Sequence, residues 1–509
     1  MLAAAIRLLR ISAREPWLDE ACTAWFAGGA DFGEVIERLA ADAHPPLYYL
    51  LMHVWTGLFG VGDVALRLPS VIASVALVPV VAWIVAEAGG GRGAQLFAAV
   101  GAALSPWLVY YGVETRAYAL LALISGVVLA ALMRAAWTGS RRAWLVAAVS
   151  TSAALYVHHY GIFLLPLWLL AVIGAVSETK RFGALVGTLA VASWVPWAWV
   201  WLAGQSRVGG AWLGGFWHGP VDALAGSLRV LALVPPFPDH LGELGLVELP
   251  LPIALAVGLV FAVPAGVGAV VPLLMVRHDR ERASLLPRVA LPTAALLLPT
   301  VGAVLVSLSR PIFLAGRYDL MAAPAWLALG AIGVEVIGDR LADSRQRRFA
   351  IVAVVVATLC LCTVLIPFLR IPAGPRAFTA AATQIAAAAP GDAVVVVGLA
   401  RAPLELQLSV VADSHHLESF PASIADHPGW MDRAHYGIEP MRRDVAALAA
   451  RLADYDGVWL VAELDDRGGF AEPRLAGFLF AALRATGREP GAPQAFGGVG
   501  LSRFARQVR

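Results

Sequence analysis

Charge is scarce in this chain. Only 15% of its 509 residues are Asp, Glu, Lys or Arg and 59% are hydrophobic, whereas an ordinary soluble domain carries roughly 25% charged residues. Lysine is nearly missing: Lys180 is the only one, so arginine carries the positive charge. A formal net charge of +2 offers no basic face for a nucleic acid, and none is expected as a partner. The three cysteines, Cys22, Cys360 and Cys362, have no metal-binding spacing and make no disulfide framework. Cys360 and Cys362 fall in an apolar run, where packing is the expected role. The opening "MLAAAIRLLRIS" lacks a hydrophobic region of signal-peptide length and a small-residue cleavage site. Its apolar stretch before Arg7 and Arg10 is also too short to span a bilayer, which points to an unusually short first helix or a start codon placed too far downstream.

What the chain does have is long apolar runs, and its mean hydropathy is +0.72. A spanning helix needs about 20 mostly apolar residues, and ten such runs stand at 66–86, 94–111, 117–133, 143–157, 161–177, 184–202, 250–275, 289–308, 318–337 and 350–371. The stretch 46–60, "PLYYLLMHVWTGLFG", is too short to span and suits an interfacial or re-entrant helix. The expected fold class is therefore a polytopic α-helical membrane protein with about 10–12 transmembrane helices. Alternate loops differ in basic residues: 87–93, 134–142, 178–183, 276–288 and 338–349 hold 14 Lys or Arg, and the longer complementary set holds 7. The first set is thus cytoplasmic. The segment 13–46, the His158–His159 pair, the loop 203–249 and everything after about 372 fall on the outer face.

Two domains are expected, 1–371 in the membrane and 372–509 outside it. In the second, "DAVVVVGL" (392–399) and "GVWLVAEL" (457–464) read as buried strands, with helical patterns near 376–389, 440–453 and 472–485. This is a small extracytoplasmic α/β domain. It has no Gly-rich phosphate loop and is assigned no nucleotide. Its stretch "ADSHHLESFPASIADHPGWMDRAHYG" reads as a solvated loop in preference to a metal site.

Ionisable residues at membrane depth are costly and are usually paired or functional. Here they collect on the outer side: Asp19 and Glu20 in "WLDEACTAWFA", His44 in "HPPLYYLL", Arg67 in "ALRLPS", Glu114 and Arg116 in "YYGVETRAYALL", His158 and His159 in "YVHHYG", and Arg310 and Arg317 in "SRPIFLAGRYDLMAAP". Each has a bland reading. "DE" at a helix start compensates the helix dipole, "HPP" opens a helix with Pro in its first turn, Arg67 and Arg317 snorkel to the interface, and Tyr48, Tyr49, Tyr110 and Tyr111 belong to a belt or core. Taken together the set divides labour: a carboxylate takes a proton from a hydroxyl nucleophile, and arginines hold a phosphate as it leaves. Those are the needs of group transfer from a phosphate-bearing lipid to an alcohol. Trp17, Trp25, Tyr48 and Tyr49 can line a groove for a sugar or isoprenoid chain.

"WLDEACTAWFA", "HPPLYYLLMHVWTGLFG", "ALRLPSVIA", "SPWLVYYGVETRAYALLAL" and "GRYDLMAAPAW" run in that order and together resemble the GT-C glycosyltransferases, in particular the family 39, protein O-mannosyltransferase-like and aminoarabinose-transferase-like group. The resemblance implies a GT-C fold with its active site in the first outer loop (about 13–65). It implies a polyprenyl-phosphate sugar donor, inverting transfer and a glycan, lipid or protein acceptor outside the cytoplasmic membrane. On this resemblance Asp19 matches the catalytic base and Glu20 a residue orienting the acceptor or the base. Arg67 matches a donor-phosphate contact, Glu114 and Arg116 the "E-A-R" element with Tyr118 just beyond it, and His44 the basic position before the double proline. His158, His159, Arg317 and Tyr318 match further substrate-binding positions. The chain departs from the pattern in its short N-terminus and in reading "GVETR" for "SQEAR", which loses a polar side chain.

The expectation is a membrane glycosyltransferase moving a mannose- or arabinose-type sugar into the cell envelope. A divalent cation is compatible with neutralising the departing phosphate, and no ligand is assigned to it. The alternatives are a transporter or flippase of a lipid-linked or anionic solute, which predicts midplane charges and repeated halves, and a catalytically silent assembly partner. No repeat is found, and the charges sit at one face.

Overall fold

The computed structural model describes residues 1–42, 44–203, 211–233, 249–278, 286–341, 343–370, 374, 376–388, 391–411, 415–429, 438–464 and 472–506. Much of the loop 203–249 and parts of 276–288 and of the His- and Asp-rich loop lie outside them. The N-terminal half is helical: α1 (Leu2–Leu8), α2 (Leu18–Ala27), α3 (Phe32–Ala40), α4 (Leu47–Phe59), α5 (Asp63–Glu87), α6 (Arg92–Leu104), α7 (Pro106–Tyr111), α8 (Tyr118–Thr138) and α9 (Arg141–Val157). Among the described residues, seven helices are long and apolar enough to cross a membrane: Asp63–Glu87, Tyr118–Thr138, Ser177–Ala203, Leu251–Val271, Arg288–Ser307, Tyr318–Gly338 and Arg345–Pro367. The chain is a multi-pass membrane protein.

The other three expected spans are helical but shorter. α9 has 17 residues, and the run 161–177 begins as a 3-10 turn, His159–Leu164, before the helix Leu165–Gly174. The run 94–111 is cut in two at Ser105. Proline lacks an N–H and clashes with the carbonyl four residues back, so Pro106 starts α7 and ends α6. The carbonyls left over at the end of α6 are met by a fully buried arginine. Arg7 donates to the Ala102 oxygen at 3.2 Å and the Ala103 oxygen at 3.0 Å, and its Nε donates to Ser74 Oγ at 2.7 Å. A cation at a helix C-terminus is favourable in charge as well as in hydrogen bonding.

The chain forms two compact units. The first comprises Met1–Arg10, Leu39–Leu50 and Arg67–Ile371. Within it, Tyr118–Thr138 and Tyr318–Gly338 are the most buried of the long helices. Close packing without a hydrophobic driving force in lipid favours glycine at helix crossings. At Gly268 and Gly333 the backbones meet, since a Cβ there would stand 2.0 Å from the Leu329 oxygen and 1.8 Å from the Pro264 oxygen, respectively.

The second unit comprises Ile11–Arg38, Leu51–Leu66 and Pro372–Arg509. Its sheet contains β1 (Ala393–Val397), β2 (His416–Phe420), β3 (Gly457–Glu463), β4 (Arg488–Pro490), β5 (Gln494–Phe496) and β6 (Val499–Arg506). The order is β2-β1-β3-β6-β4, with β5 also on β6; β1 pairs in parallel with β2 and β3, and β6 runs antiparallel to its neighbours. All five residues of β1 are buried, as a strand covered on both faces requires. Val394 and Val396 pack with Ala381, Ile385, Leu404 and Leu408; Val395 and Val397 pack with Leu448, Leu452, Leu475 and Leu479.

Two parts of the segment expected as the first outer loop, Ile11–Arg38 and Leu51–Leu66, are folded into this unit, and Leu39–Leu50 belongs to the first. Glu15 accepts from the N–H groups of Phe378 (3.0 Å) and Thr379 (3.1 Å), capping the helix Ala377–Ala386. Gly374 N–H donates to the Ala13 oxygen at 2.9 Å, and Leu18 packs against the cluster around Val395 and Val397. Arg376 pairs with Asp63 at 2.5 Å.

Candidate active site

In the first unit the "ETR" turn is built on α5. Ser70 hydroxyl donates to the Glu114 carbonyl at 2.5 Å, and Arg116 N–H donates to the same oxygen at 2.8 Å. Glu114 and Arg116 are buried. Arg67 is 1% exposed and, three residues before Ser70, shares that face of α5.

Arg116 reaches His44, its Nη2 lying 2.9 Å from His44 Nε2. His44 Nδ1 is 2.5 Å from Asp42 Oδ2. A guanidinium only donates, so Nε2 accepts and Nδ1 carries the proton given to Asp42. The His44 ring meets Tyr49 edge-on at 5.7 Å; Tyr49 and Tyr48 are both buried, which makes them core.

Tyr118, at the start of α8, lies among cations. Arg317 Nε donates to its hydroxyl at 2.7 Å, and the Arg317 and Arg116 guanidinium carbons lie 5.2 and 5.8 Å from its ring centre. Planar guanidinium forks can grip phosphate oxygens bidentately and also bind aromatic faces, and here one tyrosine gathers two of them. Behind it stand His158, 5.8 Å from Tyr118 and 5.7 Å from Tyr318, and Tyr160, stacked on Tyr318 at 4.7 Å. His158 Nδ1 accepts the Tyr160 N–H at 3.1 Å. Burial, with the nearby Arg116 and Arg317 charges, pushes the His158 imidazole well below its ordinary 6.5. It is a neutral ring that brings no charge to the cluster.

The two histidines meet different rings: His159 lies tilted against Trp201 at 4.8 Å, and His158 against Tyr118 and Tyr318. Arg310 is exposed just beyond the helix Leu286–Ser307. Among the described residues no three His, Cys, Asp or Glu side chains gather as a metal site would require.

Asp19 and Glu20 belong to the second unit. They differ from one another. Glu20 is fully buried; its Oε2 pairs with Arg14 at 2.5 Å and reaches back to the Trp17 N–H at 3.4 Å, in the manner of a helix-starting carboxylate. Asp19 is half-buried in the first turn of α2, with Thr23 Oγ1 donating to its backbone carbonyl at 3.0 Å. Trp25 and Phe26 flank His427 at 5.9 and 5.5 Å.

Sequence reasoning missed Asp42, Ser70, Tyr160 and Arg7. Asp42 carried a signal, two residues before His44 in "DAHPP"; Ser70 and Arg7 act on partners too distant in sequence to pair by pattern.

Residues 43–201 match the family described as dolichyl-phosphate-mannose-protein mannosyltransferase. No curated protein sequence matches the chain. In fold, the chain is similar to ArnT from Cupriavidus metallidurans, solved bound to undecaprenyl phosphate, with 15% identity, a TM-score of 0.55, and 98% of this chain and 96% of ArnT covered. It is also similar to the archaeal oligosaccharyltransferase AglB from Archaeoglobus fulgidus, solved with an inhibitory peptide and a dolichol-phosphate (12% identity, TM-score 0.50, 96% and 72% covered). A third likeness is to the arabinofuranosyltransferase AftD from Mycobacteria (18% identity, TM-score 0.52), of which the match spans 40% while covering all of this chain. The mannosyltransferase match covers the segment that holds His44, Arg67, Arg116, Tyr118 and His158, and the fold of the whole chain is similar to that of ArnT.

Proposed function

We propose that this protein transfers a mannose- or arabinose-type sugar from a polyprenyl-phosphate donor to a hydroxyl of an envelope glycan, lipid or protein, at the outer face of the cytoplasmic membrane. The observation that carries the reading is the pair of guanidinium groups of Arg116 and Arg317 around the Tyr118 ring, in the first unit. Paired guanidinium forks match the oxygens of a phosphate bidentately, and a lipid phosphate offers that group at a membrane surface. ArnT and AglB, which share the fold, were solved with undecaprenyl phosphate and dolichol-phosphate.

The chemistry follows from charge. The carboxylate of Asp19 takes the proton of the acceptor hydroxyl, the oxygen attacks the anomeric carbon, and the bond from that carbon to the phosphate oxygen breaks. The phosphodiester, with one negative charge, leaves as a monoester with a second. Arg116, Arg317 and Arg67 act on that developing charge, the circumstance in which a preorganised donor lowers a barrier most. Asp19 suits a base better than Glu20, because Glu20 is committed to Arg14.

The test is transfer of radiolabelled sugar from polyprenyl-phosphate mannose or arabinose by membranes containing wild type or Asp19→Asn at matched levels. Transfer that collapses in the variant supports both the reaction and its base. Equal transfer by the two proteins removes Asp19 from the mechanism; no transfer by wild type from any donor rejects the reaction.

A further inference from the structure

We infer that Asp42 is a positioning residue for the donor phosphate: through His44 it fixes the orientation of Arg116. The inference rests on the glycosyltransferase reading for its substrate, and on geometry for everything else. Asp42 is 6% exposed, close to the short α3–α4 connection, and its Oδ2 lies 2.5 Å from His44 Nδ1. On the far side of the same ring, Nε2 lies 2.9 Å from Arg116 Nη2. Each hydrogen bond in this row has one possible direction. The guanidinium donates, so Nε2 offers its lone pair; the imidazole proton is then on Nδ1, and the carboxylate accepts it.

The arrangement makes Asp42 the residue that selects the tautomer. With the carboxylate gone, nothing in this row favours Nδ1–H over Nε2–H. In the second tautomer an N–H points at the guanidinium, two donors face each other, and the arginine swings away. The same second-layer logic applies where a carboxylate behind a histidine fixes which nitrogen faces a metal; here the group held is an arginine. Arg116 leans over the Tyr118 ring that also binds Arg317, so a displaced Arg116 loosens the phosphate end of the site and leaves the acceptor end as it was. The carboxylate also offsets one positive charge beside Arg116 and Arg317. The aspartate thereby makes a dense arginine cluster compatible with burial.

The experiment is a double-mutant cycle on the full-length membrane protein, reading KM for donor, KM for acceptor and kcat. Asp42→Ala should raise the donor KM about tenfold, the scale of one buried charge-assisted hydrogen bond, with little change in acceptor KM. Asp42→Asn, whose amide oxygen still accepts from Nδ1–H, should regain most of that loss. His44→Gln places an amide oxygen where Nε2 stood, able to accept from Arg116 without help; adding Asp42→Ala to it should then change donor KM less than about threefold. An equal cost of Asp42→Ala in both backgrounds, or Asp42→Asn no better than Asp42→Ala, overturns the inference. Should Asp42→Ala not accumulate, His44→Phe keeps the ring and removes the acceptor, and an unchanged donor KM in that variant is equally decisive against it. If wild type transfers no sugar, the glycosyltransferase reading fails on its own. The same cycle read as affinity for undecaprenyl phosphate in detergent still decides the coupling: the pattern above supports it, and four equal affinities refute it.

Discussion

Replacing Tyr118 by Phe isolates one atom of the site. The phenol oxygen accepts Arg317 Nε–H at 2.7 Å, with both side chains buried. Phenylalanine keeps the ring, so there is no cavity and both arginines retain an aromatic face. What is lost is a hydrogen bond to a charged donor, worth about 1.5–3 kcal/mol net. At about 1.36 kcal/mol per factor of ten, full expression of that loss in the transition state lowers kcat/KM about 10- to 150-fold. The phosphate gains charge as the sugar leaves, so part of the effect should appear in kcat and not in donor KM alone. The assay is initial-rate transfer from a labelled polyprenyl-phosphate sugar, beside a thermal melt of the same purified protein in detergent. Activity within about twofold of wild type, at any melting temperature, would refute the placing of this pair at the reacting phosphate, because an arginine gripping that phosphate cannot lose a bond of this strength without consequence.

Other expectations follow from the same geometry. Asp19→Asn should cut transfer by about 10²- to 10⁴-fold, the range of general-base catalysis, with an unchanged melting temperature. Glu20→Gln should do the reverse in part, lowering stability by about 1–3 kcal/mol through its buried bond to Arg14, read by thermal unfolding. Arg7→Met should destabilise by about 3 kcal/mol or more, since it strands carbonyls at Ala102 and Ala103; wild-type-like melting would reject Arg7 as the repair of the α6 break. His158 is held neutral when folded, with its pKa depressed below the ordinary 6.5. The unfolded chain therefore binds a proton that the folded chain refuses as pH falls below 6.5. Stability should drop in that window at up to about 1.4 kcal/mol per pH unit from this residue. His158→Asn, whose side-chain oxygen can still accept the Tyr160 N–H, should flatten the slope, as measured by melting between pH 7 and pH 5.

The fold was legible wherever the solvent enforces a local rule. A bilayer leaves no partner for a bare peptide group, so spanning segments are helices and their apolar runs show in the sequence. The buried strand "DAVVVVGL" and the helix before it were equally visible, whereas the helix Arg401–Val410 that follows it was not read from the sequence. The run 94–111 was misread as one span even though "SP" at 105–106 is a helix-start signal, because hydropathy averaging does not register a single proline. In the site, the order of motifs identified Arg116, Arg317 and His158 as residues of interest. Their pairings were not legible: Arg116 meets His44 across 72 residues and Arg317 meets Tyr118 across 199.

By itself, the sequence determined a multi-pass helical chain with a C-terminal α/β segment and an ordered set of charged motifs of GT-C character, since these follow from residue type and local period. Tertiary structure alone decided that Glu20 is spent on a helix start while Asp19 is half-buried, that His158 and His159 part company, that Asp42 stands behind His44, and that residues 11–38 and 51–66 fold with 372–509. The reason is physical. A buried charge must find its partner wherever the chain brings one, and that choice is made by packing over long sequence separations, not by the residues beside it.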